Sequence, residues 1–463
     1  MSAPNTNMFL SQPLGLTYVK TALPIIFVMA VNGALAVADA LFLGHFVGPE
    51  ALAAVTLMFP LFMLIVSLAT LVASGMSSRL ARHLGANDIH EAQADFAGAH
   101  GLALTFGVVL IVMFFLFGAD LARLLAAGDA ELADLGMTYL RITALGAPLM
   151  FVLSVNFDAL RNEGKVALMT ALGVLVTLAN IGFNYVLIAQ FNMGVAGTAI
   201  GTILAQLVSF SIILTFRLRG QTLLRPRALI DHKMTSAWGR ILALGAPQSL
   251  TFIGVAMGSA LVIAALQWVD SPAYSETVSA YGIFTRVMTF CFMPLLGLSH
   301  AMQTITGNNY GAKAWARSNG SIKIAVVSAL VYCGTLQALL IGFAHEVGAA
   351  FVDDPAVIAE VERIMPITLA LFVFAGPSMM VSAYFQAIGD ARRAAWLGLS
   401  KPFLFAIPLT IGLAIVMGEI GIWLAAPIAE AMLVGLVVIV LMLNARRGPF
   451  VLGLFHPVGE GKA

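Results

Sequence analysis

The sequence predicts an all-α, polytopic membrane protein with about 12 transmembrane helices in two six-helix lobes related by an internal repeat. Three observations support this prediction: a shortage of charge, a series of long apolar runs, and matching motifs in the two halves. Of the 463 residues, 60% are hydrophobic and 10% are charged, whereas an ordinary soluble domain carries about 25% charged residues. This composition excludes a soluble enzyme, a nucleic-acid binder and a disordered chain.

The apolar runs are long enough to cross a bilayer, which takes about 20 residues of helix. They lie at 18–46, 51–78, 95–118, 136–160, 166–190, 194–216, 240–268, 279–306, 320–345, 360–388, 394–417 and 421–444. The first run is too long for the core of a cleaved signal peptide, so we expect it to be retained as the first span.

The basic residues predict the orientation of these spans. If the N-terminus is cytoplasmic, all of the 24 Lys and Arg residues except Arg123, Arg141, Arg286 and Arg363 fall in cytoplasmic segments. Such an excess of basic residues on one side is typical of cytoplasmic loops. The sequence therefore predicts a multi-pass protein of the cytoplasmic (inner) membrane with both termini in the cytoplasm.

The two halves carry similar residues at equivalent span ends. Gly85 and Gly311 follow spans two and eight, 226 residues apart, and Gly194 and Gly421 open spans six and twelve, 227 residues apart. Parallel repeats of six spans are an architecture of many secondary transporters. The predicted segments are an N-terminal tail at 1–17, a first lobe at 18–217, a basic cytoplasmic loop at 218–239, a second lobe at 240–444 and a C-terminal tail at 445–463.

Asp39 is the clearest acidic residue inside a span, because its neighbours in span one are apolar. A charged residue at the centre of a span costs about 2.5–3.5 kcal/mol, and such residues are candidates for function. Burial favours the neutral carboxyl, whereas a bound cation favours the ionised form. Asp39 is therefore a candidate for cation coupling. The alternative is a structural aspartate that bonds a neighbouring helix.

Polar residues in spans four, five and six are candidate partners for Asp39. Asn180 and Asn184 are four residues apart and share a helical face, Thr202 lies in span six, and Tyr139 lies near the start of span four. Their oxygens suit a proton network, or Na⁺ at Asp39, Asn180, Asn184 and Thr202. The alternative for each amide or hydroxyl is a plain interhelical hydrogen bond.

Other polar or special positions in the spans complete the candidate set. Pro24 in span one removes a backbone hydrogen bond and is a candidate hinge. A weaker hypothesis has Arg286 paired with Glu430 or lining the cavity. Candidate residues of the substrate cavity are Asn32, Asn156, Gln206, Met257, Arg286 and Glu430.

The chain resembles the multidrug and toxic compound extrusion (MATE) family from about residue 15 to residue 445. The residues that carry the resemblance are 37–44 (VADALFLG), 50–54 (EALAA), 84–86 (LGA), 161–164 (RNEG), 309–312 (NYGA), 386–390 (QAIGD) and 421–425 (GIWLA). The resemblance implies alternating access and export of organic, often cationic, drugs in exchange for H⁺ or Na⁺.

Within the family the chain looks most similar to the DinF-like branch. Another branch has acids in spans seven and ten, where this chain has Val255 and Gly376. The first-lobe site of DinF-like members maps onto Asp39, Tyr139, Asn180, Asn184 and Thr202. Relatives often carry a second carboxylate where this chain has Asn184, and its absence favours H⁺ over Na⁺.

The sequence thus predicts a multidrug antiporter that works as a monomer, takes small-molecule drugs as substrates and lies in the lipid bilayer. No nucleic-acid partner, cofactor or enzymatic activity is expected, since His45, His100, His300 and His345 are scattered along the chain and Cys291 and Cys333 lie in apolar runs. The alternative function is a flippase for a lipid-linked saccharide precursor.

Overall fold

The computed structural model describes residues 7–126, 129–269, 273–448 and 450–457. In this part of the chain, eleven helices are long and apolar enough to cross a membrane, or twelve if one bent pair counts as a single span. The predicted all-α, polytopic fold is therefore confirmed. The helices that the following sections use are α1 (Leu14–Phe42), α2 (Pro49–Gly85), α3 (Ile89–Leu125), α4 (Ala130–Asn162), α5 (Val166–Asn184), α6 (Gly194–Leu218), α7 (Trp238–Trp268), α8 (Tyr274–Gly311), α9 (Trp315–Gly342), α10 (Pro355–Thr368), α11 (Ala375–Ile388), α12 (Ala391–Leu399), α13 (Ile407–Met417) and α14 (Glu419–Arg447).

The contacts divide the chain into two compact units. The first comprises Met1–Ser11 and Leu23–Ser249, and the second comprises Gln12–Ala22 and Leu250–Ala463. The unit boundaries thus fall inside helices α1 and α7, and the predicted basic loop at 218–239 lies within the first unit. The first six residues of the predicted N-terminal tail and 458–463 of the predicted C-terminal tail lie outside the described residues.

The core of the first unit forms where α2, α3 and α4 meet. Val72, Met76 and Leu80 of α2 are fully buried and follow one another at four-residue spacing, which places them on one face of the helix. They belong to one cluster with the buried rings of Phe96 and Phe151. This cluster holds α2, α3 and α4 together.

A reciprocal pair of serines joins α2 to the first part of α7. The Ser67 hydroxyl donates to the Ser249 carbonyl at 3.1 Å, and the Ser249 hydroxyl donates to the Ser67 carbonyl at 2.9 Å. The two hydroxyl oxygens are 2.8 Å apart. These contacts explain why α7 belongs to the first unit as far as Ser249.

Two glycines let the backbones of α2 and α7 approach each other closely. A Cβ added at Gly75 would lie 2.0 Å from the carbonyl oxygen of Ile241, and one added at Gly245 would lie 1.8 Å from that of Leu71. Small residues at such crossings are typical of helix packing in membranes. The contacting residues run in opposite directions along the two helices, so α2 and α7 are antiparallel.

Gly245→Ala is expected to lower the free energy of unfolding by about 1–3 kcal/mol, the usual cost of overpacking. The new methyl group would meet the Leu71 carbonyl, which cannot rotate away as a side chain does. Thermal unfolding in detergent measures the effect. Gly258→Ala on the same helix is the control, because nothing lies within 4 Å of the added Cβ. Equal stability of the two variants would contradict the prediction.

The first turns of α1 belong to the second unit because polar side chains of that unit hold them. The Tyr18 hydroxyl donates to the Ser321 carbonyl at 2.9 Å, and the two side-chain oxygens are 2.8 Å apart. Arg317 donates from Nη2 to the Gln12 carbonyl at 2.7 Å.

The tenth span is broken, although the sequence predicts one continuous run at 360–388. Helix α10 and the segment Phe372–Ile388 meet at an angle of 54°. The Gln337 side chain stabilises the break: its Nε2 donates to the Ala370 carbonyl at 2.9 Å, and its Oε1 accepts from the Val373 amide at 2.7 Å. One amide therefore satisfies two backbone groups that the break frees.

The C-terminal segment 450–457 folds back on the second unit. Tyr384 donates to the Leu454 carbonyl at 2.8 Å, and Asn444 donates to the Gly453 carbonyl at 2.6 Å. Asn319 pairs with both backbone groups of His456 at 2.8 and 3.0 Å. The His456 ring stacks on Trp315 with a centroid distance of 4.0 Å. Buried polar side chains therefore hold this segment in place.

Candidate functional site

Two parallel helices, α1 and α5, meet through polar side chains at matching positions. Asn184 donates from Nδ2 to Asp39 Oδ1 at 2.7 Å, and the Thr177 hydroxyl lies 3.1 Å from Asn32 Oδ1. Both pairs are 145 residues apart in the chain, and within each helix the two positions are seven residues, or two turns, apart. The Asp39 side chain is partly buried.

The hydrogen bonds continue from Asp39 across α5 to α6. The second Nδ2 hydrogen of Asn184 goes to Asn180 Oδ1 at 2.9 Å, and Asn180 Nδ2 donates to Thr202 Oγ1 at 2.7 Å. The Thr202 hydroxyl then donates to the Thr198 carbonyl at 3.0 Å. Asp39, Asn184, Asn180 and Thr202 thus form one chain of hydrogen bonds, which we call the polar chain.

When Asp39 is ionised, it can only accept, and this determines the direction of each bond in the polar chain. Asn184 uses both protons of its amide nitrogen, so its nitrogen faces both Asp39 and Asn180. A reversed amide would place its oxygen against two acceptor oxygens. The Asn184 Oδ1 atom is buried and has no hydrogen-bond partner among the described residues.

Gly201 of α6 makes room for the Asn184 amide. A Cβ added at Gly201 would lie 2.1 Å from Asn184 Oδ1. Helices α5 and α6 therefore approach closely at the point where the amide turns its nitrogen towards Asp39. Glycine at 201 is a positioning residue for the site, and we had not identified it from the sequence.

Tyr139 lies close enough to Asp39 to interact with its charge. No hydrogen bond joins the two side chains among the described residues. The ring packs in two apolar clusters, one with Leu43, Ala51 and Val195 and one around Met58. Tyr139 thus forms a wall beside the polar chain.

Two π-helical segments flank the polar chain, and sequence reasoning had missed both. One, Leu43–Val47, follows α1 four residues after Asp39, and the other, Tyr185–Gln190, begins directly after Asn184. Segments of this kind occur frequently at functional sites. The first segment ends at Gly48, which has φ +126. A glycine at this position is the sequence signal that could have marked a distortion there.

The remaining candidate residues are spread over both units. In the first unit, Asn32 bonds Thr177, Gln206 is half-buried on α6, and Asn156 lies in a separate group with His100 and Arg217. In the second unit, Met257 is 51% exposed.

The hypothesis that Arg286 pairs with Glu430 is wrong. Glu430 of α14 forms an ion pair with Lys401, and Arg286 is exposed. Lys401 lies in a third π-helical segment, Ser400–Ala406, between α12 and α13. We had counted Lys401 only among the cytoplasmic basic residues, because sequence alone does not show where its side chain turns.

The described residues contain no group of three or more His, Cys, Asp or Glu side chains that could hold a metal ion. What the polar chain offers is one carboxylate, two amides and a hydroxyl. Such a group can bind and release a single proton or monovalent cation at Asp39.

Gly201→Ala is expected to displace the Asn184 amide and to destabilise the first unit by about 1–3 kcal/mol. Transport that depends on Asp39 should fall with it, because Asn184 would lose its fixed orientation. Thermal unfolding and substrate efflux are measured together. Gly182→Ala on α5 is the control, since its Cβ would meet nothing within 4 Å. Full activity of Gly201→Ala would contradict a positioning role.

Comparison with known proteins connects this arrangement to a family. The MatE family model matches residues 24–186 and 247–411. The chain is 25% identical over 405 residues to the probable multidrug resistance protein YoeA of Bacillus subtilis, covering 84% of this chain and 85% of the relative. It is 27% identical over 436 residues to the FAD transporter of Shewanella oneidensis, covering 92% and 93%. It is 22% identical over 394 residues to the multidrug export protein MepA of Staphylococcus aureus, covering 84% and 85%.

Solved structures share the fold. A MATE crystal structure in complex with MaL6 superposes with a TM-score of 0.84 at 23% identity, covering 94% of this chain and 97% of the other. An outward-facing multidrug resistance MATE transporter of the MOP superfamily gives 0.83 at 23% identity, covering 97% and 100%. The two matched segments together span most of the sequence, and the relatives are membrane transporters rather than enzymes. The chain therefore belongs to the MATE family of multidrug efflux transporters.

Proposed function

We propose that the protein exports organic cations across the cytoplasmic membrane in exchange for protons, and that Asp39 carries the proton. The protein works as a monomer by alternating access, with both termini in the cytoplasm. The relatives named as a probable multidrug resistance protein and a multidrug export protein support drugs as the substrates. The coupling ion is inferred from the polar chain.

The observation that carries the choice of H⁺ over Na⁺ is the orientation of Asn184. Its N–H group, not its oxygen, faces Asp39 at 2.7 Å. Na⁺ needs oxygen ligands, and a donor pointing at the carboxylate competes with a cation for the same oxygen. A proton needs no such set of oxygen ligands. The carboxyl keeps an acceptor oxygen for Asn184 whether it is ionised or protonated, so the polar chain stays intact throughout the cycle.

The same carboxylate can serve the substrate. Ionised Asp39 attracts an organic cation, and a proton arriving from outside neutralises it and weakens that attraction. Drug and proton therefore compete for one charge, which is the requirement for exchange. Pro24, a proline inside α1, lies fifteen residues before Asp39 and acts in this proposal as the hinge through which the protonation state changes the helix.

Transport by purified protein in lipid vesicles, with pH and Na⁺ gradients imposed separately, tests the proposal. We expect ethidium efflux to follow the pH gradient and to ignore a Na⁺ gradient. The matched variant is Asn184→Asp, which replaces the N–H donor with a second carboxylate. It should gain a response to Na⁺. Efflux by the unmodified protein in a Na⁺ gradient alone would overturn proton coupling.

A second candidate substrate is an anionic dinucleotide. The relative named FAD transporter matches 92% of this chain, and FAD carries phosphate anions. In the second unit, the exposed Arg286 on α8 forms no ion pair with any described residue. FAD export from the same vesicles, lost in Arg286→Gln while ethidium efflux continues, would favour this candidate.

A further inference from the structure

The first unit contains a cavity of about 340 Å³ that is separate from the polar chain. Its walls come from α3, α4 and α6 and include Leu104, Leu149, Phe210 and Leu214. Leu229 of the short helix Ala228–Asp231 covers one end. Because Leu104 is 42% exposed, the cavity opens at the surface of the helix bundle. The volume equals that of about eleven water molecules at roughly 30 Å³ each.

The cavity has one polar end, made by a directed network. His100 Nδ1 donates to the Phe96 carbonyl at 2.8 Å, and its Nε2 accepts from Asn156 Nδ2 at 3.0 Å. The His100 ring is therefore the neutral Nδ1–H tautomer. Asn156 Oδ1 accepts from Arg217 Nε at 2.8 Å. The network thus ends on a guanidinium that lines the apolar cavity.

Arg217 keeps one unused donor. Its Nη1 donates to the Leu224 carbonyl at 2.6 Å and lies 3.4 Å from both carboxylate oxygens of Glu163, at the limit of a hydrogen bond. The guanidinium lies over the Phe96 ring, 4.7 Å from its centroid. Its Nη2 is buried and has no hydrogen-bond partner among the described residues. A buried guanidinium N–H without a partner is costly, so an added acceptor would be favourable.

The segment that covers the cavity is strongly basic. From residue 217 to residue 240 the chain has six basic residues and one acidic residue. Arg225, Arg227 and Lys233 are exposed, and of these Arg227 is paired with Asp231. Basic residues at a membrane surface attract anionic lipids by about 1 kcal/mol each. An organic cation would be repelled from the same place.

We propose that this cavity, together with the basic segment beside it, binds an anionic phospholipid of the adjoining leaflet. One acyl chain lies along Leu104, Phe210 and Leu214, and the phosphate is attracted by the charge of Arg217 and of the exposed basic side chains. The apolar walls distinguish the lipid from free phosphate, because a free phosphate leaves them exposed. The site is independent of Asp39 and of any transported substrate.

Lipid retention measured by native mass spectrometry tests this site without a transport assay. The protein is purified, stripped of lipid, and mixed with phosphatidylglycerol, phosphatidylcholine or glycerol phosphate. We expect selective retention of one phosphatidylglycerol. Leu104→Trp fills the mouth of the cavity from an exposed position and should abolish the selective retention. Leu116→Trp, on the same helix at a 62% exposed leucine, is the control and should retain the lipid.

A charge variant separates the head-group contact from the acyl contact. The double variant Arg225→Gln, Lys233→Gln should weaken phosphatidylglycerol binding about fivefold for each side chain replaced. The control removes Arg123 and Arg141, two exposed basic residues of the same unit. Equal retention of phosphatidylglycerol and phosphatidylcholine, equal binding of glycerol phosphate, or unchanged binding in Leu104→Trp would each overturn the proposal.

Discussion

Replacing Asp39 with asparagine should abolish efflux driven by a pH gradient while leaving the fold intact. Asparagine keeps an oxygen that can accept from Asn184 Nδ2, so the 2.7 Å contact between α1 and α5 has a substitute. It cannot bind or release a proton. We expect the rate of coupled efflux to fall at least about tenfold, which corresponds to about 1.4 kcal/mol or more of activation free energy.

The measurement for Asp39→Asn is pH-driven ethidium efflux from vesicles, with thermal unfolding run in parallel. Asp134→Asn removes an exposed acid of α4 and is the matched control. Coupled efflux at the full rate from Asp39→Asn would show that the proton is carried elsewhere. Loss of efflux together with a large drop in unfolding temperature would show that Asp39 has a structural role only.

Lys401→Met should cost up to about 3 kcal/mol of stability, the lower end of the penalty for leaving one partner of a buried ion pair alone, because the Lys401 side chain is 35% exposed. The Glu430 side chain is only 4% exposed, and its second oxygen already has no hydrogen-bond partner among the described residues. Removing Lys401 leaves that carboxylate without its counter-charge. The unfolding midpoint in detergent is the measurement.

A double variant separates this explanation from simple loss of packing. Lys401→Met combined with Glu430→Leu removes both charges and should recover most of the stability, because a buried pair can be replaced by apolar residues at little cost. Arg227→Met breaks the exposed pair with Asp231 and should cost no more than about 1 kcal/mol. If the double variant is no more stable than Lys401→Met, the uncompensated charge is not the cause.

The partners within the polar chain could be anticipated from spacing. Asn180 and Asn184 lie four residues apart, so both amides had to project from one face of α5. The apolar surroundings of Asp39 required a polar neighbour. Spacing could not say which way the Asn184 amide turns, because this depends on Gly201 of α6, where a methyl group would meet the amide oxygen. Our proposal of H⁺ rather than Na⁺ rests on that contact between helices.

The apolar runs predicted how many spans the chain has, but not where a span deviates from a regular helix. The tenth run has no charged residue after Arg363, and its break is stabilised by Gln337 from α9, a residue more than thirty positions away in the chain. Lys401 shows the same limit. It lies near the start of the apolar run 394–417, and the sequence does not show that a π-helical turn brings its side chain to Glu430.

The docked C-terminal segment affects how this protein can be handled. A chain shortened to residue 447 loses the stack of His456 on Trp315 and the bonds to Tyr384 and Asn444. Trp315 is one of five tryptophans, so its fluorescence can report whether the segment 450–457 is docked. Proteolysis during storage would then be visible as an optical change before any loss of transport is measured.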